Sequence, residues 1–344
     1  MVVTMPLART ELIGCLEDHG FHVVLLDLGQ GLTLVATTAG GRIFGPYLDD
    51  LDILGWTPAL TEFDAALGSG QWNIGGERIW LAPERMFNFT DPQAMLETYR
   101  VDPALDPGTW QLQAEADGMV LSARMIVNRT DGGADMDLMI SRRVVPLAVS
   151  GASGIGPIRG GYRQSITVEG DPEGPPVVPW LIRQVPLGGQ ARLSAKGSGA
   201  GQCVFGDPPP EALSPMDGQW CVPFGPRGFF KTTYARQSLG HGGLSYAMAG
   251  SSMASVLEFR PSLAAPRDYP ETLPRDPGGP GQAAALFRDD GRFGTYGELE
   301  MYGHRSGPAE GRLAVDAQVL HGETAAVCGM GTVQASDISS IPIS

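Results

Sequence analysis

Two stretches of the chain bring proton-transferring and ligand-gripping side chains close together. The first, Trp72 to Glu84 (WNIGGERIWLAPE), interleaves Trp72 and Trp80 with Glu77, Arg78 and Glu84 around the pair Gly75-Gly76. The second, Tyr296 to Gly303 (YGELEMYG), sets Glu298 and Glu300 two residues apart. On a strand such residues share a face, so both carboxyls point one way with Tyr296 and Tyr302, and Leu299 points to the core. Paired acids can do general acid–base work, provided each reaches its own oxygen. They are also common dressing on a solvent face; the flanking tyrosines argue for a lined pocket instead. An indole beside a guanidinium fork suits a ligand with apolar faces and polar edges, and glycines let the backbone come close. The plainer alternative makes Trp80 a core residue, the glycines a turn and Glu84 an exposed cap.

Other charges sit where strands would carry them. In GFFKTTYAR, Phe229 shares the face of Lys231 and Phe230 takes the other, which sets Lys231 beside an aromatic and in a position to pair with a late glutamate. In WLIRQVP, Trp180, Ile182 and Gln184 share one face, and Leu181, Arg183 and Val185 the other. Arg142, Arg143 and Arg183 are further inward candidates, with a solvated position as the plainer alternative. Of the five histidines, His241 lies in a glycine-rich GHGG loop and His304 follows Glu300 by four. Either could reach a pocket rim or be a surface imidazole. No phosphate-binding glycine loop opens a helix, and there is no GxSxG elbow or HExxH. No cofactor and no metal site are therefore expected. Cys15, Cys203, Cys221 and Cys328 form no CxxC and read as separate reduced thiols.

The elements that must position these residues are mostly strands. Of 344 residues, 42% are hydrophobic, enough for a sizeable core, while 48 glycines and 28 prolines argue for many turns. Ala8 to His19 reads as a short amphipathic helix carrying Leu12, Ile13 and Leu16, stopped by Gly20. TPALTEFDAALGSG could hold a turn or two of helix. From FHVVLLDLG onward, sixteen or more short apolar runs alternate with Gly, Pro and Asp turns, TAAVCGMG being the last. Such a count favours a large antiparallel sandwich over βαβ units. Residues 261–280, rich in proline, read as a long loop inside one domain spanning 1–344. The formal net charge of −14 disfavours nucleic acid and anionic membrane as partners. No signal peptide and no run of 18 apolar residues is read, which makes a cytoplasmic chain the expectation.

The motifs AGGRIFGPY, IGGERIWLAPE, LMISRRVVPL, PWLIRQVPLGG, GFFKTTYAR and YGELEMYG, taken in that order, resemble the galactose mutarotase-like (aldose 1-epimerase-like) superfamily. The likeness runs from about residue 20 to about 335 and is strongest to branches carrying a GG-x-R-x-W-x-A-P-E signature. It implies an all-β supersandwich with a sugar-binding face, a mono- or oligosaccharide ligand, and acid/base chemistry at or near the anomeric carbon; separately, the exposed edges of so large a sandwich make a homodimer an expectation. It implies a catalytic base on the late strand, best matched by Glu300 with Glu298 beside it, and a substrate-binding role for Arg78. Around these, Glu77, Trp72, Asn73, Lys231, Tyr302 and His304 are the expected substrate contacts. The family's acid is a mid-chain histidine, and none occurs here between residues 23 and 240. His241 or His304 would have to substitute. A non-catalytic carbohydrate-binding or sensor protein on the same fold is the alternative.

Overall fold

The computed structural model describes residues 6–148, 157–250, 252–324 and 327. Among these, twenty strands pair into two ten-stranded sheets. The first sheet, here the site sheet, runs in spatial order Val23–Gly29, Leu32–Thr37, Ile43–Leu48, Glu77–Ala82, Val178–Pro186, Tyr296–Tyr302, Gln282–Arg288, Phe230–Ala235 and Gln202–Gly206. Leu51–Asp52 pairs on Ile43–Leu48 off this path. The back sheet runs Gln219–Pro223, Gln190–Ala195, Leu239–Ala249, Met253–Pro261, Glu310–Glu323, Ile158–Glu169, Met136–Pro146, Gly118–Val127 and Gln111–Glu115, with His304–Arg305 on Glu310–Glu323. The strands pair antiparallel, for instance Trp180 against Tyr302 and Trp80 against Trp180. The described residues therefore form an all-β sandwich of two antiparallel sheets with few helices, as expected.

The two sheets differ in what their outer faces meet. Gly118–Val127 and Met136–Pro146 alternate buried and more exposed positions, as strands with one wet face do. The central strands Glu77–Ala82, Gln282–Arg288 and Tyr296–Tyr302 are buried at every position. One of their faces packs on the back sheet through Ile79, Leu299 and Met301, all at most 1% exposed. The other lies beneath loop residues that include Glu84, Phe89, Met95, Leu96, Tyr99 and Phe293. Two-sided burial is the mark of a sheet face with a roof.

The sandwich interior holds a polar layer. Arg142 of Met136–Pro146 donates to Glu77 across the two sheets and to Gln164 Oε1 at 3.0 Å through Nε. Tyr162 adds a long contact to Glu77 at 3.4 Å, and Arg183 donates to the Gly45 carbonyl. Glu77, Arg142 and Arg183 are all 0% exposed. Glu77, expected among the substrate contacts, therefore lies in the interior and does not line the cleft. It points to the back sheet because it alternates with Arg78, which points to the roofed face. Arg142 and Arg183 are inward, but into this layer; Arg143 is a surface residue paired to Glu115 and Asp117.

Helix Arg9–Asp18 buries Leu12, Cys15 and Leu16, and helix Leu60–Ser69, longer than the turn or two expected, buries Phe63, Ala66 and Leu67. Both pack on Val35, Phe44 and Tyr47. Gly70, at φ +67, ends the second helix in the left-handed region that glycine adopts without strain. Of TAAVCGMG, expected as a strand, Thr324 and Val327 are helical, and Val327 packs on Ala247, Ala254 and Val256. The rest of that run, Cys328 included, lies outside the described residues. No helix among the described residues is long and apolar enough to cross a membrane, which says nothing of strands.

Candidate functional site

Five adjacent strands of the site sheet build the floor of a cleft with about 530 Å³ of non-atom space, open solvent included. The register explains which side chains meet there. Ile182 pairs with Arg78 on one side and Glu300 on the other, Gln184 with Glu298, and Phe287 with both Glu298 and Lys231. Cross-strand partners share a face. Arg78, Glu298, Glu300 and Lys231, far apart in sequence, thus converge on the outer face of the sheet. Trp80 and Trp180 complete the floor, while Trp72, Tyr99, Leu96 and Phe293 form the more open rim.

The glycine pair places the first stretch. Gly75 and Gly76 have φ of +90° and +74°, and a Cβ on Gly75 would collide with the Trp56 carbonyl. Only glycine passes there without strain. Directly after the turn, Arg78 stacks over the Trp80 ring at 4.3 Å and lies 5.2 Å from that of Trp72. Its Nη2 donates to Glu298 Oε1 at 2.8 Å, while Nε and Nη1 are buried without a partner. Gln184 also donates to Glu298 Oε1, at 3.0 Å, and to Asn73 Oδ1 at 3.0 Å. Asn73 in turn donates to the Phe293 carbonyl. It thus ties the turn to the rim from outside the lining.

The second half of the site centres on Lys231. Its ammonium lies 2.9 Å from Glu84 Oε2, 3.1 Å from Glu300 Oε2 and 4.3 Å from the Trp180 ring centre. Glu300 Oε2 also accepts from Trp180 Nε1 at 3.0 Å and Tyr302 OH at 3.2 Å. Its Oε1 is buried with no partner. Burial in this dry setting pushes the Glu300 carboxyl up to about 7, with Lys231 opposing the shift and Glu298 and Glu84 adding to it. Burial alone would lower the Lys231 amine; Glu300 and Glu84 outweigh it and hold the charge on. For Arg78 burial is the largest single influence and lowers it, and Glu298, Tyr296, Asp106 and Tyr99 together outweigh it.

A layer beneath the lining fixes these groups. Asp106 Oδ2 accepts from Trp80 Nε1 and Arg42 Nη2, both at 2.8 Å, which locks the indole under Arg78. Glu271, from the proline-rich loop, accepts from the Glu84 backbone N–H at 2.7 Å. Burial first, then the nearby Glu84, push its carboxyl up to about 8. That loop braces Glu84 from behind the lining.

The structure brings together Glu298, Glu300, Arg78, Trp72 and Lys231 on the cleft, with Tyr302 and Asn73 one contact behind. It does not bring the histidines. His241 is exposed on a strand of the back sheet, and His304 turns its ring to Tyr269, 5.9 Å away, with Nδ1 on the Arg305 carbonyl. No histidine is among the cleft's lining residues. Neither His241 nor His304 takes the expected place, because both follow strands out of the site sheet. Sequence reasoning missed Glu84, which is buried rather than an exposed cap, and Trp180, Tyr99, Phe293 and Glu271. Trp180 was signalled by its shared face with Gln184; the others sit on loops without period. Trp80 is both core and cleft floor.

No family model and no curated protein matches the chain. Among solved structures, a candidate aldose 1-epimerase of Escherichia coli K12 is 12% identical, covers 88% of this chain and 100% of its own, and superposes with a TM-score of 0.53. A galactose mutarotase related enzyme from Lactobacillus acidophilus matches at 6% identity, covering 87% and 97%, with a TM-score of 0.45. The 4-alpha-glucanotransferase of Thermococcus litoralis matches at 9% identity over 88% of this chain and 39% of that one, with a TM-score of 0.33. The first likeness establishes the fold alone; the two weaker ones carry no argument.

Proposed function

We propose that the cleft binds a carbohydrate and carries out acid/base chemistry at its anomeric carbon, as an aldose 1-epimerase-like isomerase does. The observation that carries this reading is the convergence of Arg78, Lys231, Glu84, Glu298 and Glu300 on an aromatic floor, with Glu300 Oε1 and Arg78 Nη1 left for a ligand. A sugar ring offers apolar CH faces to Trp72, Trp180 and Phe293, and hydroxyls to the guanidinium and carboxylates. The likeness to the Escherichia coli candidate aldose 1-epimerase supports the same substrate class.

The two late glutamates divide the proton work. Glu300, held near neutral in its pKa by burial, carries a proton for part of the time at pH 7 and gives it to the ring oxygen. Glu298, gripped by Arg78 and Gln184, takes the proton of the anomeric hydroxyl. The bond from the anomeric carbon to the ring oxygen breaks, its electron pair leaves on the protonated ring oxygen, and an open-chain aldehyde forms. Rotation and reversal close the ring with the opposite configuration and return both protons. Glu300 is thus the acid, in place of the base expected from the sequence, and no histidine is required.

A binding or sensor protein is the second reading, favoured by the absence of a lining histidine and by the engagement of Glu300 with Lys231, Trp180 and Tyr302. Polarimetry or NMR on freshly dissolved aldoses separates the two. We expect catalysed relaxation by the wild type and a loss of about 10²- to 10⁴-fold in Glu300→Gln. If no aldose relaxes faster with protein while sugars still raise the melting temperature, the binding reading replaces the enzyme.

A further inference from the structure

We propose that Cys15, His19 and Asp64 form a binding site for a zinc-class divalent cation, remote from the cleft and independent of its function. Cys15 and His19 are four residues apart at the end of helix Arg9–Asp18, where the His19 N–H still donates to the Cys15 carbonyl at 3.3 Å. Their side chains therefore stand one turn apart on one face. Asp64 comes from the neighbouring helix Leu60–Ser69. Its Oδ1 lies 2.9 Å from His19 Nε2 and 3.7 Å from Cys15 Sγ, and the three ligand atoms fall within 4.8 Å of one another. Tetrahedral zinc, with bonds of about 2.0–2.3 Å, separates its ligand atoms by roughly 3.3–3.6 Å. The cluster brackets that spacing, so small side-chain rotations close it around an ion.

The donor set selects the ion. Thiolate, imidazole and carboxylate together suit a borderline-soft metal; magnesium and calcium take oxygen ligands. The site is open on one side, since the side chains of His19 and Asp64 are 26% and 63% exposed. An ion has an entry path and room for a water as fourth ligand. The imidazole lies against the second helix beside Gly68, where a Cβ would be in ordinary contact, 3.4 Å from His19 Cε1. Without a cation the thiol keeps its proton, because burial and then the Asp64 carboxylate push Cys15 up to about 11. The triad is therefore no poised nucleophile. On binding, the S–H bond breaks, the sulfur electron pair is donated to the metal and one proton leaves to solvent; nothing is oxidised or reduced. The bound ion would pin the two helices to each other.

Calorimetric titration of the chelator-treated full chain with zinc chloride, and absorption spectra of its cobalt(II) adduct, test this. We expect about one zinc per chain with about one proton released, and a thiolate-to-cobalt charge-transfer band that is lost in Cys15→Ser. Affinity should fall at least about tenfold in His19→Ala and in Asp64→Asn, and stay unchanged in His22→Ala. Asp64 is largely exposed, so Asp64→Asn keeps the fold, and loss of the zinc-induced rise in melting temperature there is a second readout. Absence of saturable binding, binding indifferent to these three substitutions, or a cobalt spectrum without the thiolate band overturns the proposal.

Discussion

Lys231 shows how much one side chain carries when charges are buried. It is 3% exposed and sits between Glu84 and Glu300, with Trp180 beneath it. Removing a cation from such a cluster leaves its carboxylates without their counter-charge in a dry site, which typically costs about 3–5 kcal/mol. Lys231→Met keeps the apolar stem and should lower stability by that order in denaturant titration. Glu300→Gln, of nearly the same shape, should cost far less while lowering the proposed activity by about 10²- to 10⁴-fold. A Lys231→Met chain as stable as the wild type would mean that the ammonium is not what neutralises this cluster. Glu84, the third member, was hidden in the sequence behind a proline, where no strand or helix period says which way a side chain points.

Each strand of the site sheet divides its residues between two environments. On Glu77–Ala82, Arg78 and Trp80 face the cleft, while Glu77 faces Arg142 of the back sheet. The sequence reading set both Glu77 and Arg78 among the substrate contacts; the strand's register turns only Arg78 to the cleft. The distinction is testable because a buried ion pair is costly to break and cheap to replace as a pair. Arg142→Met alone should destabilise the chain by about 3–5 kcal/mol. The double substitution Glu77→Leu, Arg142→Met should regain most of that loss and leave sugar-induced thermal stabilisation intact. Loss of sugar binding in a well-folded double variant would return Glu77 to the ligand's side. The same logic of facing explains the histidines. His241 and His304 belong to strands of the other sheet, so no local shift brings them to the cleft.

At the scale of the whole molecule, the site stores protons that the unfolded chain would release. Glu300 and Glu271 titrate at about 7 and about 8 in the folded state, above their common reference value of 4.5. Groups raised in this way contribute stability that is complete below the unfolded pKa and is lost as the pH rises through the folded one. Stability should therefore fall between about pH 5 and pH 8, by at most about 1.4 kcal/mol per pH unit for each such carboxyl. Denaturant titrations across that window should show a shallower slope for Glu271→Gln than for the wild type. Identical slopes would mean that Glu271 is ionised when folded. The sequence by itself determined the strand-built sandwich, the short helix before it and the shared face of Glu298 and Glu300, because alternation, turn residues and apolar runs are local signals. Tertiary structure alone decided that this face meets Arg78 and Lys231, that Glu84 and Glu271 turn inward, that Glu77 belongs to the core, and that Asp64 joins Cys15 and His19. The reason is physical: strand order, register and the path of long loops are set by packing across hundreds of residues, and no local period in the chain records them.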